Sequence, residues 1–183
     1  MVVPKTFTSL LLDPPWPENG GGKIKRGADK HYSTIKKKEE ILRVIMQSGV
    51  YRPADDAHMW MWVTNNYLPW GLWLMEALGF RYVTNVPWTK AGRMGIGQYA
   101  RGCHEILLFG VRGKGYAACR YDEETGKRHY IRTDALVGIP RPGRHSQKPE
   151  EAYAMIEHLS APPYLEMFSR EIRPNWYSWG NEV

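Results

Sequence analysis

The chain has 183 residues, of which 43% are hydrophobic and 24% are charged, and its formal net charge is +6. This length and composition predict one domain over residues 1–183, with enough apolar residues for a core. The charge is consistent with a polyanionic partner, and no apolar stretch reaches the ~20 residues needed to cross a membrane.

The cysteines and the first residues carry no sign of an oxidising compartment. The two cysteines, Cys103 and Cys119, lack the spacing of a zinc site or a disulfide framework. Residues 1–8 have no charged region followed by an apolar run, so we expect no signal peptide. We therefore expect a cytoplasmic protein without a metal site. Its eight Trp and eleven Tyr include candidates for stacking on bases.

The first predicted element is a buried strand over residues 8–12, and Asp13-Pro14-Pro15-Trp16 follows it directly. Two prolines have no N–H to donate to a sheet, so the strand should stop at Asp13 and continue as a stiff turn. Ligands of open α/β sheets bind at the carboxyl ends of the strands. The tetrapeptide is therefore a candidate site.

The groups of this turn suit chemistry on the exocyclic amine of adenine, a poor nucleophile whose lone pair is delocalised into the ring. The Asp13 carboxylate and the Pro14 carbonyl could accept its two N–H hydrogens, which favours a pyramidal nitrogen with an available lone pair. Trp16 could stack on the base, a contact worth about 1–3 kcal/mol. A strand end with an Asp-Pro turn and a core tryptophan is the simpler alternative.

Asp-Pro-Pro-Trp is also the signature of amino-methyltransferases that use S-adenosylmethionine (SAM). From about Leu10 to Asn181 the chain resembles the MT-A-seventy family of adenine N6-methyltransferases. That family includes the catalytic subunit of the eukaryotic mRNA N6-methyladenine writer and many bacterial and phage DNA methylases. The resemblance assigns four residues to catalysis, and the first of them also to the cofactor: Asp13, Pro14, Pro15 and Trp16.

The resemblance also implies an α/β, Rossmann-like fold, with a mostly parallel mixed sheet and helices on both faces. The catalytic motif precedes the cofactor-binding strand, which is the permuted order of the family. Only twelve residues precede Asp13, so the adenine pocket of SAM is expected to be more open or to be completed by a partner subunit.

Residues 17–32 form a predicted loop, because Gly20-Gly21-Gly22 opens it. Lys23, Lys25 and Arg26 could contact phosphates, while a solvated insert is the alternative reading. The spacing of a P-loop is absent, which argues against ATP. The resemblance places Tyr32 near the target base.

The middle of the chain alternates between helix and strand patterns. Apolar periodicity predicts helices over 36–47 and 66–78 and strands over 56–63, 81–88 and 103–111. Strand–helix–strand order implies right-handed parallel crossovers. A hairpin turn at 122–127 and a strand over 134–139 are also predicted.

Residues 89–102 form a second glycine-rich basic loop, with Lys90, Arg93 and Arg101. Two such loops beside one catalytic edge would make a cleft for a nucleic acid, although solvated loops again are the alternative. Glu105, just beyond this loop, matches an acidic position of the family next to the site.

Arg144-His145-Ser146-Gln147-Lys148-Pro149 resembles the family's His-Ser-x-Lys-Pro segment before a helix. Proline suits a helix start, and apolar residues at 152, 155, 156 and 159 form a core stripe. Backbone N–H groups at a helix start favour an anion. The resemblance assigns Lys148 to the SAM carboxylate.

Residues 164–170 read as the last buried strand and resemble the family's Glu-Leu-Phe-Gly-Arg cofactor strand. Ser169 stands where the family has glycine, which still permits close approach of a cofactor, but less freely. The resemblance assigns six residues of this region to the cofactor, the last two to its ribose: Glu166, Phe168, Ser169, Arg170, Asn181 and Glu182.

These features predict SAM-dependent methylation of adenine N6. DNA is preferred because the sequence shows no appended RNA-binding module, and RNA adenosine is the first alternative. A catalytically inactive nucleic-acid-binding subunit of such an enzyme is the second, and a methyltransferase of other substrates the third. We expect a bacterial or phage source, a nucleic acid as partner, and a homo-oligomer or a partner subunit.

Overall fold

The computed structural model describes residues 4–17, 35–90, 99–114, 121–122, 124–143, 147–181 and 183. These ranges hold the following strands and α-helices: β1 (Phe7–Leu12), α1 (Lys38–Gln47), β2 (Pro53–Val63), α2 (Leu68–Ala77), β3 (Arg81–Thr89), β4 (His104–Arg112), α3 (Glu150–Leu159), β5 (Tyr164–Met167) and β6 (Trp176–Trp179). A short 3₁₀ turn, Asn65–Tyr67, leads into α2.

The six strands form one sheet in the order β3-β4-β2-β1-β5-β6. β2, β1, β5 and β6 are parallel neighbours, whereas β4 runs antiparallel to both β2 and β3. The predicted mostly parallel mixed sheet is confirmed. Because only β4 is reversed, its first residues lie at the same edge as the carboxyl ends of the other strands. We call this edge the rim. It comprises the residue that follows each of the other five strands and the first residue of β4: Asp13, Thr64, Lys90, Phe168, Gly180 and His104.

Helices cover both faces of the sheet, as predicted. Side chains of α1 and α2 pack on one face with Leu10 and Leu12 of β1. Side chains of α3 pack on the other face with Leu11. Because side chains alternate along a strand, Asp13 falls on the same face as Leu11, which is the face that α3 covers.

The strand predicted over 134–139 is wrong. This segment is a series of turns, with an isolated β-bridge between Val137 and Thr89 and a hydrogen bond from the Trp88 indole to the Ile139 carbonyl joining it to β3. The backbone N–H of Ala135 donates to the Arg132 carbonyl at 3.1 Å, and that of Val137 donates to Asp134 at 3.0 Å. These local hydrogen bonds take the place of a strand ladder.

Strand β6 was missed by the sequence interpretation. It has four residues between Asn175 and Gly180, and it pairs in parallel with β5 along its whole length. Four residues are too few for a period of two to show in a sequence. No helix within the described ranges is long and apolar enough to cross a bilayer.

Candidate active site

Hydrogen bonds fix the turn after β1 to three other elements. The Asp13 N–H donates to the Met167 carbonyl of β5 at 3.3 Å. The indole N–H of Trp16 donates to the Trp62 carbonyl of β2 at 2.9 Å, and the Tyr67 hydroxyl donates to the Pro17 carbonyl at 2.5 Å. The Asp13 carboxylate therefore stands on a backbone held from both sides.

Trp16 serves this anchoring and does not present an open face. Its side chain is 4% exposed, and its ring stacks on Tyr67 with centroids 5.9 Å apart. A buried indole needs a partner for its N–H, and Trp16 finds it in the backbone of β2. The structure thus differs from the prediction that Trp16 stacks on a base.

The Pro14 carbonyl is partly used inside the turn. It accepts the Trp16 backbone N–H at 2.8 Å, and the next carbonyl, of Pro15, accepts the N–H of Ile35 at 3.1 Å. A carbonyl oxygen has two lone pairs, so Pro14 keeps one for a ligand.

Four charged side chains meet above this turn, and we call them the ion cluster: Asp13, Lys90, Glu105 and Lys148. The Lys148 Nζ lies 2.8 Å from Asp13 Oδ2 and 3.2 Å from Glu105 Oε2. The Lys90 Nζ binds the other oxygen, Oε1, of Glu105. Two carboxylates and two ammonium groups make the cluster neutral. The pairing also explains how the Lys148 side chain can be only 8% exposed.

Two tryptophans of the sheet support the cations of the ion cluster. Lys148 Nζ lies 5.5 Å from the ring centroid of Trp62, and Lys90 Nζ lies 4.9 Å from that of Trp88. The two indoles pack edge to face at 5.9 Å. A cation over an indole face is stabilised by the ring quadrupole, so each ammonium group makes a cation–π interaction with one tryptophan.

The pKa values of the two carboxyl groups of the ion cluster are shifted in opposite directions. Burial raises the pKa of Asp13 above its ordinary value of 3.8, although Lys148 opposes the shift. Burial also acts to raise the pKa of Glu105, but the Lys148 and Lys90 ammonium groups outweigh it and lower that pKa to about 2. Burial lowers the pKa of Lys148, yet the same two carboxylates raise it above 10.5. Asp13 is thus the more basic carboxylate and the stronger hydrogen-bond acceptor of the two.

The next strand, β5, places a second buried carboxyl below the rim. Glu166 is 6% exposed, and its Oε1 accepts the Tyr153 hydroxyl of α3 at 2.7 Å. Its Oε2 has no hydrogen-bond partner among the described residues. Burial raises the pKa of Glu166, with Tyr153, the nearby Ser169 side chain and the Arg173 charge opposing. A buried polar atom without a partner is rare in folded proteins and marks a place where a ligand or water would complete it.

The backbone is packed tightly where β5 and β6 end. The Ser169 N–H donates to the Trp179 carbonyl at 3.0 Å. A Cβ on Gly180 would lie 2.1 Å from the Ser169 carbonyl oxygen. Phe168 just before has a φ of 64°, a conformation that L residues adopt at a cost. Glycine is therefore required at position 180, where the backbone passes close to that of Ser169.

We expect Gly180→Ala to lower the free energy of unfolding by about 1–3 kcal/mol, because an added methyl must push the end of β6 away from Ser169. Denaturant titration measures this loss. Gly143→Ala is the matched control, since a Cβ there meets nothing within 4 Å. Equal stabilities of the two variants would contradict the close approach.

The residues predicted to bind the cofactor fall along one part of the rim. Phe168 and Arg170 are half-buried after β5, and Asn181 is exposed after β6. The Arg170 charge acts to lower the pKa of Asp13, so it lies near that carboxylate. Lys148 approaches the same point from the segment before α3.

The predicted substrate-binding cations are less well placed. Arg101 is exposed in the segment before β4. Lys90 differs from the prediction, because its side chain is 17% exposed and is paired with Glu105. Six predicted site residues lie outside the described residues: Lys23, Lys25, Arg26, Tyr32, Arg93 and Glu182.

Glu105 is the site residue whose importance the sequence interpretation underrated. It reaches the rim because β4 is antiparallel, so that Glu105 pairs with Trp88 near the end of β3. A strand start facing the carboxyl ends of parallel strands can be predicted only once the strand order is known. Among the described residues, no group of three or more His, Cys, Asp or Glu could hold a metal ion.

Comparison with known proteins agrees with this geometry. Residues 7–182 match the family described as MT-A70. The human N(6)-adenosine-methyltransferase catalytic subunit METTL3 is 25% identical over 187 residues, which cover 97% of this chain and 28% of the human protein. The N(6)-adenosine-methyltransferase MT-A70-like protein of Drosophila melanogaster is 26% identical over 193 residues, or 100% of this chain and 28% of that protein.

This chain covers a larger share of a fungal relative. The N6-methyladenosine RNA methyltransferase MTA1 of Cryphonectria parasitica is 26% identical over 189 residues, which cover 97% of this chain and 52% of the fungal protein. The chain thus spans about a quarter to a half of the length of these curated relatives. Since the family match extends over nearly all of its residues, this chain belongs to the MT-A70 family of SAM-dependent methyltransferases.

Proposed function

We propose that this chain transfers a methyl group from SAM to the N6 amine of adenine in a polynucleotide, with RNA adenosine as the favoured substrate. The observation that carries the proposal is the Asp13 carboxylate at the rim. It follows a strand, stands on a turn tied to β2 and β5, and is held 2.8 Å from the Lys148 ammonium.

The residues of the rim fit the cofactor. Lys148 suits its carboxylate, because it presents an ammonium group at the rim just before α3. The unpartnered Oε2 of Glu166 offers a buried acceptor on the strand that the family uses for SAM. Phe168, Arg170 and Asn181 lie along the adjacent edge. When bound, SAM supplies an electrophilic methyl group.

The turn supplies the groups that would hold the amine. Asp13 has a raised pKa and accepts one N–H strongly, while the free lone pair of Pro14 accepts the other. With both hydrogens held, the nitrogen lone pair points away from the turn, which is the orientation needed for in-line attack. As the N–C bond forms, the bond from the methyl group to the cofactor sulfur would break, the thioether product would leave, and the surplus amine proton would pass to Asp13 or to water. Trp16 and Tyr67 keep the turn in place.

RNA replaces DNA as the favoured substrate. The sequence favours DNA only through the absence of an RNA-binding module. The human and fly relatives are named as adenosine methyltransferases and the fungal one as an RNA methyltransferase, which favours the RNA alternative. A bacterial or phage source and a cytoplasmic location stay predictions.

An inactive nucleic-acid-binding subunit is the competing function. Such a subunit would have no use for a buried, neutral cluster of four charges, because burying ions is expensive unless the geometry is maintained. The intact contacts of Asp13 with Lys148, and of Lys148 with Glu105, therefore favour an active enzyme.

The test offers RNA and DNA oligonucleotides of one base sequence, single-stranded and duplex, with isotope-labelled SAM. After nuclease digestion, mass spectrometry separates N6-methyladenosine from its deoxy counterpart. Labelled N6-methyladenosine that disappears in Asp13→Ala supports the proposal. Label found only in deoxyadenosine would return DNA as the substrate. SAM bound without any transfer would favour the inactive subunit.

A further prediction concerns the cations Lys23, Lys25 and Arg26 of the first basic loop, which lie outside the described residues. Changing Lys23, Lys25 and Arg26 together to glutamine should weaken oligonucleotide binding evenly across base sequences. Each lost phosphate contact on a single strand flattens the slope of log affinity against log salt by about 0.7. Filter binding at several salt concentrations measures both effects.

The matched control for that loop changes Lys5, Lys114 and Lys127, three exposed lysines of the described residues, to glutamine. It removes the same charge from other surfaces. If both triple variants weaken binding equally, the loop has no special role and the effect is that of net charge alone.

A further inference from the structure

The ion cluster forms a continuous chain of contacts from the end of β3 to the catalytic turn. Lys90 holds Glu105 Oε1, Lys148 lies 3.2 Å from Glu105 Oε2, and Lys148 lies 2.8 Å from Asp13 Oδ2. Lys90 is the member of the ion cluster that lies farthest from Asp13 in this series of contacts. The mechanism proposed above gives Lys90 no task, although its side chain is only 17% exposed.

We propose that Lys90 is a positioning residue for methyl transfer: by occupying one oxygen of Glu105, it keeps the Lys148 ammonium beside Asp13. This inference rests on the proposed function and adds a residue to that site. It assigns Lys90 an action through Glu105, in place of the phosphate contact that its loop position suggested.

The two oxygens of Glu105 explain the effect. Each of them now serves one ammonium group, Lys90 on Oε1 and Lys148 on Oε2. Without Lys90, both oxygens would be open to Lys148, which would then be the only counter-charge of Glu105 within the cluster. The Lys148 ammonium would move toward Glu105 and away from Asp13, because a charge-assisted contact to two oxygens is stronger than one to a single oxygen.

The charge balance acts in the same direction. The cluster is neutral with Lys90 and carries one net negative charge without it. The charged groups that act on Asp13 include Lys148, Glu105 and Arg170, and Asp13 also interacts with Glu166 and Tyr153. Those that act on Glu105 include the two lysines. Removing a cation from two buried carboxylates disfavours their ionised forms. Asp13 would then be protonated, and unable to accept an amine hydrogen, at a higher pH than in the wild type.

Lys90 is also held in place at its backbone. Its N–H donates to the Cys103 carbonyl at 2.8 Å, which joins the end of β3 to the segment before β4. Its ammonium lies over the Trp88 ring, which packs against the Trp62 ring below Lys148. A side chain fixed by a carboxylate, an indole and its own backbone is suited to positioning.

The test compares Lys90→Met, Lys90→Arg and the exposed control Lys127→Met over a range of pH. In Lys90→Met we expect kcat at neutral pH to fall about 10- to 100-fold, since misplacing a reacting group by about 1 Å can lower a rate by about 10². The acid limb of its pH–rate profile should move to higher pH. Lys90→Arg should retain the wild-type limb, and Lys127→Met should match the wild type throughout.

Two other roles of Lys90, a phosphate contact and a purely structural one, would give different results in this experiment. A phosphate contact would raise KM for the oligonucleotide and flatten its salt dependence while leaving the acid limb in place, which would overturn the inference. A purely structural role would lower stability and the amount of active enzyme without moving the limb, and it would overturn the inference as well.

A readout without turnover separates this inference from the proposed function. Carbon NMR of the side-chain carboxyl groups follows the titration of Glu105 in wild type and in Lys90→Met. We expect the Glu105 pKa to rise from about 2 in the variant, since a neighbouring cation lowers a carboxyl pKa. An unchanged titration refutes the role of Lys90 even if the enzyme methylates adenine. A raised pKa in a chain without turnover would support the electrostatic link while the proposed function fails.

Discussion

Replacing Asp13 with alanine is expected to lower the rate of methyl transfer by about 10²–10³-fold, because the amine loses its positioned acceptor in a closed site. The turn itself should persist, since the hydrogen bonds that hold it come from the Asp13 backbone, Trp16 and Tyr67 and not from the carboxylate. Single-turnover measurements with labelled SAM report the chemical step.

Two controls make the Asp13→Ala result specific. Calorimetric titration with SAM should show binding, which excludes an unfolded variant as the cause of the lost activity. Asp13→Asn keeps an acceptor oxygen but removes the charge, so its rate should fall between those of the wild type and Asp13→Ala. A turnover of Asp13→Ala close to that of the wild type would remove Asp13 from the mechanism.

The pH dependence of the wild type has a sign that follows from the structure. Burial raises the pKa of Asp13, so the carboxylate becomes protonated at a higher pH than an exposed aspartate would. Methyl transfer should therefore decline as the pH falls through that raised value. Glu105, with a pKa of about 2, stays ionised over the same range and continues to hold Lys148.

Local rules of the chain were enough to predict the turn after β1. Pro14 and Pro15 can only end a strand, and the apolar run before Asp13 can only be buried, so the carboxylate had to stand at a strand end. The helix after Pro149 followed from an equally local pattern. Each of these predictions depended on residues next to one another in the sequence.

Contacts between distant segments were beyond such rules. Glu105 meets Lys148 across 43 positions only because β4 is antiparallel and α3 lies on the same face of the sheet. Trp16 was expected to face a base, but its ring is buried and its indole N–H donates to a carbonyl of β2. In both cases the deciding partner comes from another strand, and a single sequence carries no signal for that pairing.

The ion cluster brings together residues of two predicted roles that lie far apart in the chain. Lys148 belongs to the cofactor assignment and Asp13 to the catalytic one, yet they share one contact of 2.8 Å. Binding of a carboxylate at Lys148 would therefore change the electrostatic surroundings of Asp13 directly. With the roles proposed above, cofactor binding and the acceptor strength of Asp13 would be coupled through one ammonium group.

Replacing Lys148 with methionine should have the largest effect on the protein as a whole. It leaves the carboxylates of Asp13 and Glu105 in a buried site, with Lys90 as the remaining cation of the ion cluster and Arg170 as a further charge near Asp13. Breaking a buried ion pair on one side typically costs about 3–5 kcal/mol of stability. The affinity for SAM should also fall about tenfold or more, because a charge-assisted contact contributes roughly 1.5–3 kcal/mol.

The pH dependence of stability gives this variant a signature. Glu105 has a pKa of about 2 in the folded protein against an ordinary value of 4.5, so its contribution is complete above 4.5 and is lost as the pH falls toward 2. Lys148 has a raised pKa, so its contribution is complete below 10.5 and is lost as the pH rises through the folded value. In Lys148→Met the part of the alkaline loss that comes from Lys148 should disappear, while the part from the buried hydroxyls of Tyr51 and Tyr153 remains. The acidic loss should shrink, because Glu105 keeps only the Lys90 partner.

Chemical denaturation at several pH values measures the stability of Lys148→Met, and calorimetry measures its affinity for SAM. Lys148→Arg keeps the charge and should retain most of the stability, while Lys127→Met removes an exposed lysine and should behave as the wild type. If Lys148→Met binds SAM as tightly as the wild type, the cofactor carboxylate is held elsewhere. If its stability is also unchanged, the ion cluster does not form in solution, and the roles derived for Asp13, Glu105 and Lys90 fall with it.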